Sequence, residues 1–589
     1  MFFLKEDIKM NRRSILEMNS DEARKYFLKP ENYFTLNLPS YINLEALINQ
    51  ADKILKESKL DDLIRNGSQK IKYSNFSNIN YIIQTNKTVN TYRPITLIHP
   101  ILYVDLVKNI TEEKNWVLLV DRLKELIAHV SPSIKCTSLP FENCSTGKID
   151  ITKDKVLHFW NSIEQESIKK SLEYSYLLKI DISNFYSSIY THSIEWAVIG
   201  EDEAKDIRKN RQNINLSVED KKLKDNIGSI IDKKIQRMNY GETVSIPQGN
   251  VVSDFIAEIL LAYVDKDLYD SLKRIENFNQ DYCILRYRDD YRIYTNSIDS
   301  LNLIKKELSI ILQRFKLSLS EEKTVHCNDI VLDSISEDKQ YWLEHDPVIK
   351  IIASDRLYNE LNTDLIQDEP VSCVNKRYPI NRIYKATIQK HLYIIKTFTT
   401  RYPNSGQLIN ALEEFKIRIE SHKEDDFKVT GTDIKVLIAI VVDIIFHNPK
   451  ITSIGVQLLS ILLSKIRDSH TDSSKDRLEL IKHIHKKLNN SLVNPYLDIW
   501  LQRILIAVIG NKNKEFSEYV ESYYGETHDK LVTLINNKLL NKSVKISLFN
   551  EDWCNQKIDF CSIIDEKEIA KLKEVIGDDE IRFSNYSMI

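Results

Sequence analysis

The stretch Tyr282-Cys283-Ile284-Leu285-Arg286-Tyr287-Arg288-Asp289-Asp290-Tyr291-Arg292-Ile293-Tyr294 constrains the fold of this chain more than any other. Two runs rich in aromatic and β-branched residues flank a pair of adjacent acids, so the segment reads as a β-hairpin that presents Asp289 and Asp290 at its turn. Two acids at a tight turn repel each other, and a divalent cation that prefers oxygen is the usual remedy. Asp is also an ordinary turn residue. On this stretch alone a metal site and a plain surface turn stand side by side.

At 589 residues the chain is long enough for several cores. Its 42% hydrophobic and 28% charged residues are ordinary globular composition, and a net charge of −3 argues against a protein that coats long nucleic acid through an overall basic excess. Nucleic-acid contact would have to come from local patches. Seven scattered cysteines without a Cys-x-x-Cys pair read as reduced thiols in a cytosolic protein, with neither a disulfide framework nor a zinc site. The N-terminus is charged by Lys5, Glu6 and Asp7, too early for a signal peptide. The longest apolar run, Val436 to Phe446, is too short to span a bilayer and contains Asp443. A cytoplasmic location and no membrane partner are therefore expected. The 29 tyrosines could stack bases, but AT-biased coding raises Tyr, Asn, Ile and Lys together.

Elsewhere the chain supplies further isolated signals. Arg93 stands beside Pro94 in a short strand, where its guanidinium could hold phosphate oxygens or make a surface salt bridge. His99 has no partner at metal-ligand spacing and reads as structural. A buried-type strand, Leu177 to Ile182, delivers Asp181, and a carboxylate at such a strand end is costly without a partner or an ion. The mixed-charge segment Glu201 to Lys234 reads as a solvated helical insertion. Pro247-Gln248-Gly249 precedes a helical run and suits a loop at a helix N-terminus, which favours anionic ligands. A strand and turn, Leu317 to Thr324, delivers Lys323. From about residue 345 onward helical patterns take over: Ile380 to Arg401, Leu408 to Ser421, Asp433 to His447, Gly455 to Arg467, Lys475 to Asn489, Pro495 to Ile509, Glu515 to Tyr524 and Lys530 to Leu540. They suggest an irregular helical repeat array without a clean sequence period.

Two-metal nucleotidyl transfer needs carboxylates from two strands around a reacting phosphate, and Asp181 with Asp289-Asp290 has that character. The order strand-Asp, Pro-Gln-Gly loop with helix, Asp-Asp hairpin, lysine resembles the reverse-transcriptase palm from about Arg93 to Thr324. Asp181 with Phe185 and Tyr186, Pro247-Gln248-Gly249 with Ser253, Tyr287-Arg288-Asp289-Asp290, and Leu319 to Thr324 are similar to four of its motifs in turn. The resemblance implies two Mg²⁺ ions held by Asp181 and Asp289, with Asp290 a weaker ligand and the backbone carbonyl of Ile182 assisting. It implies that Tyr186 lies under the sugar and rejects a 2′-hydroxyl, which makes the substrates dNTPs and the product DNA. Gln248 and Gly249 would line the nucleotide, Arg93 would hold its triphosphate, and Lys323 would protonate the leaving pyrophosphate.

Within that family, Phe185-Tyr186-x-Ser188-Ile189-Tyr190-Thr191-His192, Ile246-Pro247-x-Gly249-Asn250 and Ala257-Glu258-Ile259 resemble bacterial abortive-infection and related phage-defence reverse transcriptases. That resemblance implies an α+β fingers and palm over 1–340 and an all-α, HEAT-like repeat domain over 341–589. It also implies a homo-oligomer, and either untemplated synthesis that starts on a protein tyrosine or synthesis paired with a noncoding RNA. Tyr26, Tyr33, Tyr41 and Tyr586 lie near the termini as candidate primers. Arg288 departs from the small or apolar residue usual at its position, and two readings compete: it touches primer terminus or nucleotide, or, with Arg286 and Arg292, it offsets the acidic turn. Outside untemplated synthesis, the alternatives are an RNA-templated reverse transcriptase and a helical scaffold whose catalysis is dispensable.

Overall fold

The computed structural model describes residues 12–572 apart from 65–75, 144–159, 211–225, 277, 279–280, 328, 353–379, 422–432, 467–472, 490–493, 509–513, 525–528, 541 and 543–545. At its centre is a five-stranded sheet ordered Ile134–Cys136, Tyr282–Tyr287, Asp290–Thr295, Tyr176–Asp181, Val325–Cys327. The first pair is parallel and the rest are antiparallel. Tyr287 opposes Asp290 across the hairpin, and Asp290 opposes Asp181 on the next strand. Because strand side chains alternate, this register alone carries the acids of two separate segments to one end of the sheet.

The long helix Val251–Arg274 packs against the helices Glu113–Val130 and Ile298–Arg314. It starts sharply because the Asn250 side chain accepts from the Ser253 N–H at 2.8 Å, an N-cap bond. Asp254, Glu258 and Asp265 fall four and eleven positions apart, so they share one face of this helix. That face meets the hairpin. Arg286 is fully buried; its Nη1 donates to Glu258 Oε2 at 2.8 Å and its Nε to Asp265 Oδ2 at 2.7 Å. Ser138 Oγ donates to the other Glu258 oxygen at 2.5 Å, and Tyr291 Oη to the other Asp265 oxygen at 3.0 Å. Every carboxylate oxygen of the cluster therefore has a donor, which is what permits charge inside a core. Burial pushes the Asp265 carboxyl up, whereas at Glu258 the Arg286 charge and its hydrogen bonds outweigh burial and bring the carboxyl down.

Ahead of the sheet, Tyr81–Asn86 and Tyr92–Leu97 form an antiparallel hairpin. His99 follows it, buried, and its Nδ1 accepts from the Ile101 N–H at the start of the helix Pro100–Ile110. This matches the structural reading of His99. The segment Glu201 to Lys234 is not uniformly a solvated insertion. Its second part belongs to the helix Ile227–Met238, whose Ile227, Ile231, Ile235 and Met238 are buried against the helices His192–Ile199 and Pro100–Ile110. The apolar residues recur at helical spacing beneath the charges, and that spacing wins.

Beyond the sheet the chain is largely helical, with Ile388–Arg401, Gln407–Ser421, Ile434–His447, Thr452–Ser464, Ser473–Asn489, Pro495–Val508, Lys514–Tyr524 and Lys530–Leu539 each within a few residues of expectation at one or both ends. The exception is Ile380. Ile380–Tyr384 is a strand paired with Val348–Ile352, where the β-branched Ile380 and Ile383 and the aromatic Tyr384 face a partner rich in Val and Ile. Among the described residues no helix is long and apolar enough to cross a membrane. After the last long helix the chain returns to the N-terminal region. Asn550 donates to the Asn78 carbonyl at 3.1 Å, Cys554 bridges Ile64, Ile564 bridges Ile42, and the buried Trp553 packs 5.2 Å from His99.

Removing Arg286 leaves Glu258 and Asp265 buried and facing each other. We expect Arg286→Ala to cost about 3–5 kcal/mol in urea unfolding, as for a buried ion cluster that loses one partner. A loss below about 1 kcal/mol would mean that the helix and hairpin do not depend on this cluster.

Candidate active site

The hairpin turns through Arg288 and Asp289, with Asp290 as the first residue of the outgoing strand. Arg288 has φ +53°, the left-handed region that side chains other than glycine adopt only when their surroundings hold them there. The hold is visible: the Arg288 N–H donates to Ser138 Oγ at 2.7 Å. The Asp289 carbonyl accepts from the Ile182 N–H at 3.1 Å, which ties the turn to the end of the Asp181 strand. Ser183 N–H donates to the Ser318 carbonyl and Ser320 N–H to the Asp181 carbonyl, both at 2.8 Å, so the segment carrying Lys323 is laced to the same strand end. Lys323 Nζ then donates to Asp181 Oδ2 at 2.6 Å.

Asp181, Asp289, Asp290 and Lys323 are thus gathered from three segments. Loss of hydration at the sheet end, then the charge of Asp181, raises the Asp289 carboxyl, with Arg288 and Lys323 opposing. The same loss of hydration, then repulsion from Asp289 and Asp181, raises Asp290 to about 7. Asp290 is nevertheless exposed as a residue, and water damps part of that repulsion. Among the described residues no group of three or more His, Cys, Asp or Glu side chains is already arranged to hold a metal ion. The donor chemistry still suits one. An all-oxygen set of crowded carboxylates, with Asp289 and Asp290 raised by loss of hydration and by neighbouring negative charge, fits a hard divalent cation.

The segments that carry Arg93, Tyr186, Gln248 and Gly249 are joined to one another by backbone hydrogen bonds. Thr96 N–H donates to the Gln248 carbonyl at 2.8 Å, joining the strand of Arg93 to the Pro-Gln-Gly loop. Ile246 N–H donates to the Tyr186 carbonyl at 3.0 Å, joining that loop to the turn after Asp181. Gly249 is required at this junction: its φ is +113°, and a Cβ there would lie 2.6 Å from Ile95 Cγ2. Arg93 is exposed and, among the described residues, has no ion pair, so the surface salt bridge is not what occupies it. Ile182 is buried and contributes its N–H to the turn.

The three arginines of the hairpin do not bond the carboxylates of the acidic turn, although Arg286 Nη1 also donates to the Arg288 carbonyl at 3.4 Å. Arg286 serves the buried cluster, Arg292 donates to Ser167 Oγ and the Ser334 carbonyl, and Arg288 Nη2 donates to Asp254 Oδ2 at 2.7 Å. Arg288 is still near enough for its charge to lower Asp289. Two residues near the site escaped sequence reading. Asp254 sits one helical turn beyond Asn250 and bonds both Arg288 and Tyr186; its i,i+4 spacing to Glu258 was the available signal. Lys450, after the helix Ile434–His447, is lowered in pKa by loss of hydration and by the charges of Arg93, Lys87 and Lys323. Nothing in the local sequence connects it to them. Tyr26, Tyr33 and Tyr41 are buried, with their hydroxyls on the carbonyls of Phe141, Ile98 and Ile499; Tyr586 lies outside the described residues.

Residues 85–349 match the family model described as reverse transcriptase (RNA-dependent DNA polymerase), a span that holds every candidate site residue from Arg93 to Lys323. The chain therefore carries a reverse-transcriptase domain, and its catalytic class is RNA-directed DNA polymerase, a nucleotidyltransferase. Among solved structures, the chain is similar to apo telomerase from Candida tropicalis at 15% identity, covering 83% of this chain and 71% of that one, with a TM-score of 0.27. It is also similar to telomerase from Candida albicans in complex with a TWJ fragment of telomeric RNA, at 14% identity, 85% and 75% coverage, and a TM-score of 0.28. No curated protein shows a significant match to the chain.

The raised Asp290 pKa fixes a pH dependence. Native Asp290 keeps its proton up to about 7 whereas an unfolded Asp releases it near 3.8, so without divalent cations stability falls as pH rises through that interval. In chelator, the melting temperature of the wild type should drop between about pH 4 and 7, and that of Asp290→Asn should drop less. Parallel profiles would contradict the crowding of these carboxylates.

Proposed function

We propose that the protein is a bacterial antiphage-defence polymerase of reverse-transcriptase type that adds deoxynucleotides through Asp181, Asp289 and Asp290. The observation that carries the catalytic part is the register Asp181–Asp290 across adjacent strands, with Asp289 on the hairpin turn just before Asp290 and Lys323 bonded to Asp181. The defence assignment, a homo-oligomeric state and the division into fingers and palm (1–340) and helical repeat (341–589) are supported by the motif resemblance and by the largely helical C-terminal region.

In this reading Asp181 and Asp289 hold Mg²⁺, two ions in all, with Asp290 and the Ile182 carbonyl as lesser ligands. Bound there, the metal supplies activation of a 3′-hydroxyl and neutralisation of pyrophosphate. Arg93 anchors the triphosphate of the incoming dNTP, Gln248 and Gly249 line its base and sugar, and Tyr186 excludes a 2′-hydroxyl. Lys323 gives up Asp181 for the leaving pyrophosphate and protonates it, a charge-assisted role suited to an exposed ammonium. Untemplated synthesis is the preferred mode, and noncoding-RNA-templated synthesis is the alternative. The buried hydroxyls of Tyr26, Tyr33 and Tyr41 speak against those residues as primers in the folded chain.

Purified protein given labelled dNTPs and Mg²⁺ should form DNA, and Asp289→Asn should reduce the rate on the order of 10³-fold or more. Sequencing the product separates the modes: biased DNA without a template match supports untemplated synthesis, and cDNA of a copurified RNA supports the alternative. An Asp289→Asn variant as active as wild type would overturn the assignment. Retained phage protection by that variant would instead support a scaffold.

A further inference from the structure

We propose that Asp254 is a positioning residue that sets the sugar selectivity of this site by holding Tyr186 and Arg288 as one unit. The inference rests on the reading of Tyr186 as the surface beneath the sugar, and it assigns a role to a residue outside the motifs that gave that reading.

The geometry is specific. Tyr186 Oη donates to Asp254 Oδ1 at 2.5 Å, and Arg288 Nη2 donates to Asp254 Oδ2 at 2.7 Å. One carboxylate thus spends both oxygens on donors from two other segments, the turn after Asp181 and the turn of the catalytic hairpin. A tyrosine ring excludes a hydroxyl by occupying volume, so its value depends on the ring staying in place. Ring burial and the edge of Phe185, 5.3 Å away between centroids, hold one end of Tyr186. Asp254 holds the other.

Arg288 makes the holder rigid. Its left-handed backbone is fixed by Ser138 Oγ, and Ser138 is fixed in turn by Glu258. Asp254 and Glu258 stand one turn apart on the same helix. The sugar-facing ring, the turn that bears Asp289 and the buried cluster are therefore connected through consecutive hydrogen bonds. Arg288 Nε is buried and has no hydrogen-bond partner among the described residues, so the Nη2 bond to Asp254 is what orients the guanidinium. Without Asp254 the phenol end of Tyr186 and the Arg288 guanidinium both lose their hydrogen-bond partner, while Ser138 still holds the Arg288 backbone.

The test is the ratio of kcat/KM for a dNTP to that for the matching rNTP, measured with full-length protein and Mg²⁺. Asp254→Ala should lower the ratio between about 10- and 100-fold. Tyr186→Phe, which keeps the ring and removes the hydroxyl, should lower it as well, and the double variant should lose no more than the larger single loss, because both changes break one bond. Asp254→Asn keeps an acceptor for the phenol and should stay closer to wild type than alanine does. A ratio within about twofold of wild type in Asp254→Ala, or multiplying losses in the double variant, would overturn the inference. Should Asp254→Ala fail to fold by circular dichroism, Asp254→Asn and Tyr186→Phe decide: unchanged ratios in both overturn it, and a drop in Tyr186→Phe supports it. A wild type that incorporates neither nucleotide overturns the polymerase reading and this inference with it, whereas deoxynucleotide incorporation with unmoved ratios overturns this inference alone.

Discussion

A single buried arginine organises the catalytic end of this protein. Arg286 stands between Glu258 and Asp265 with no exposure, and the long helix and the hairpin are joined through it. Paired charges inside a core add little net stability compared with apolar packing, but they admit only one arrangement. Here that arrangement fixes which residue of the hairpin meets the helix, and so it fixes the register. Slipping the incoming strand by one residue would put Leu285 or Tyr287 where Arg286 meets Glu258 and Asp265, and leave both acids without their cation.

Everything at the site inherits this register. Asp290 faces Asp181, the Asp289 carbonyl takes the Ile182 N–H, and the Lys323 segment is laced to the same strand end. The Pro-Gln-Gly loop is bonded to both the Arg93 strand and Tyr186, and Gly249 lets the strand come close enough for that. The result is a ring of backbone bonds around a patch of repelling carboxylates. Repulsion at the patch is balanced in part by Lys323, and the remaining charge is what an oxygen-seeking cation would neutralise.

The parts legible in sequence were those with local causes. The hairpin announced itself through β-branched and aromatic flanks around Asp289-Asp290, and the helices after residue 345 through spacing alone. Gly249 was readable as a tight loop, although its contact with Ile95 was not. What escaped depends on residues distant in sequence. The pairing of Asp254 with Arg288 and Tyr186 becomes visible only once helix and hairpin are docked, because three charged residues on a helix face usually mean a wet surface. The burial of Ile227–Met238 was hidden by the lysines interleaved with its isoleucines. The strand Ile380–Tyr384 needed its partner Val348–Ile352 to outweigh helix propensity. The return of residues 550–564 to the N-terminal region has no local signature, and neither does the approach of Lys450 to Arg93 and Lys323.

The central claim is that Asp181 and Asp289 together hold the ions that drive nucleotide transfer. Crystals soaked with Mn²⁺ and a non-hydrolysable dNTP, with anomalous data collected at the manganese edge, test it most directly. The account predicts an anomalous peak at bonding distance, about 2.0–2.2 Å as for the smaller Mg²⁺, from carboxylate oxygens of both Asp181 and Asp289, with Lys323 displaced from Asp181. Manganese bound elsewhere, or a nucleotide seated with no metal between these carboxylates, would contradict it.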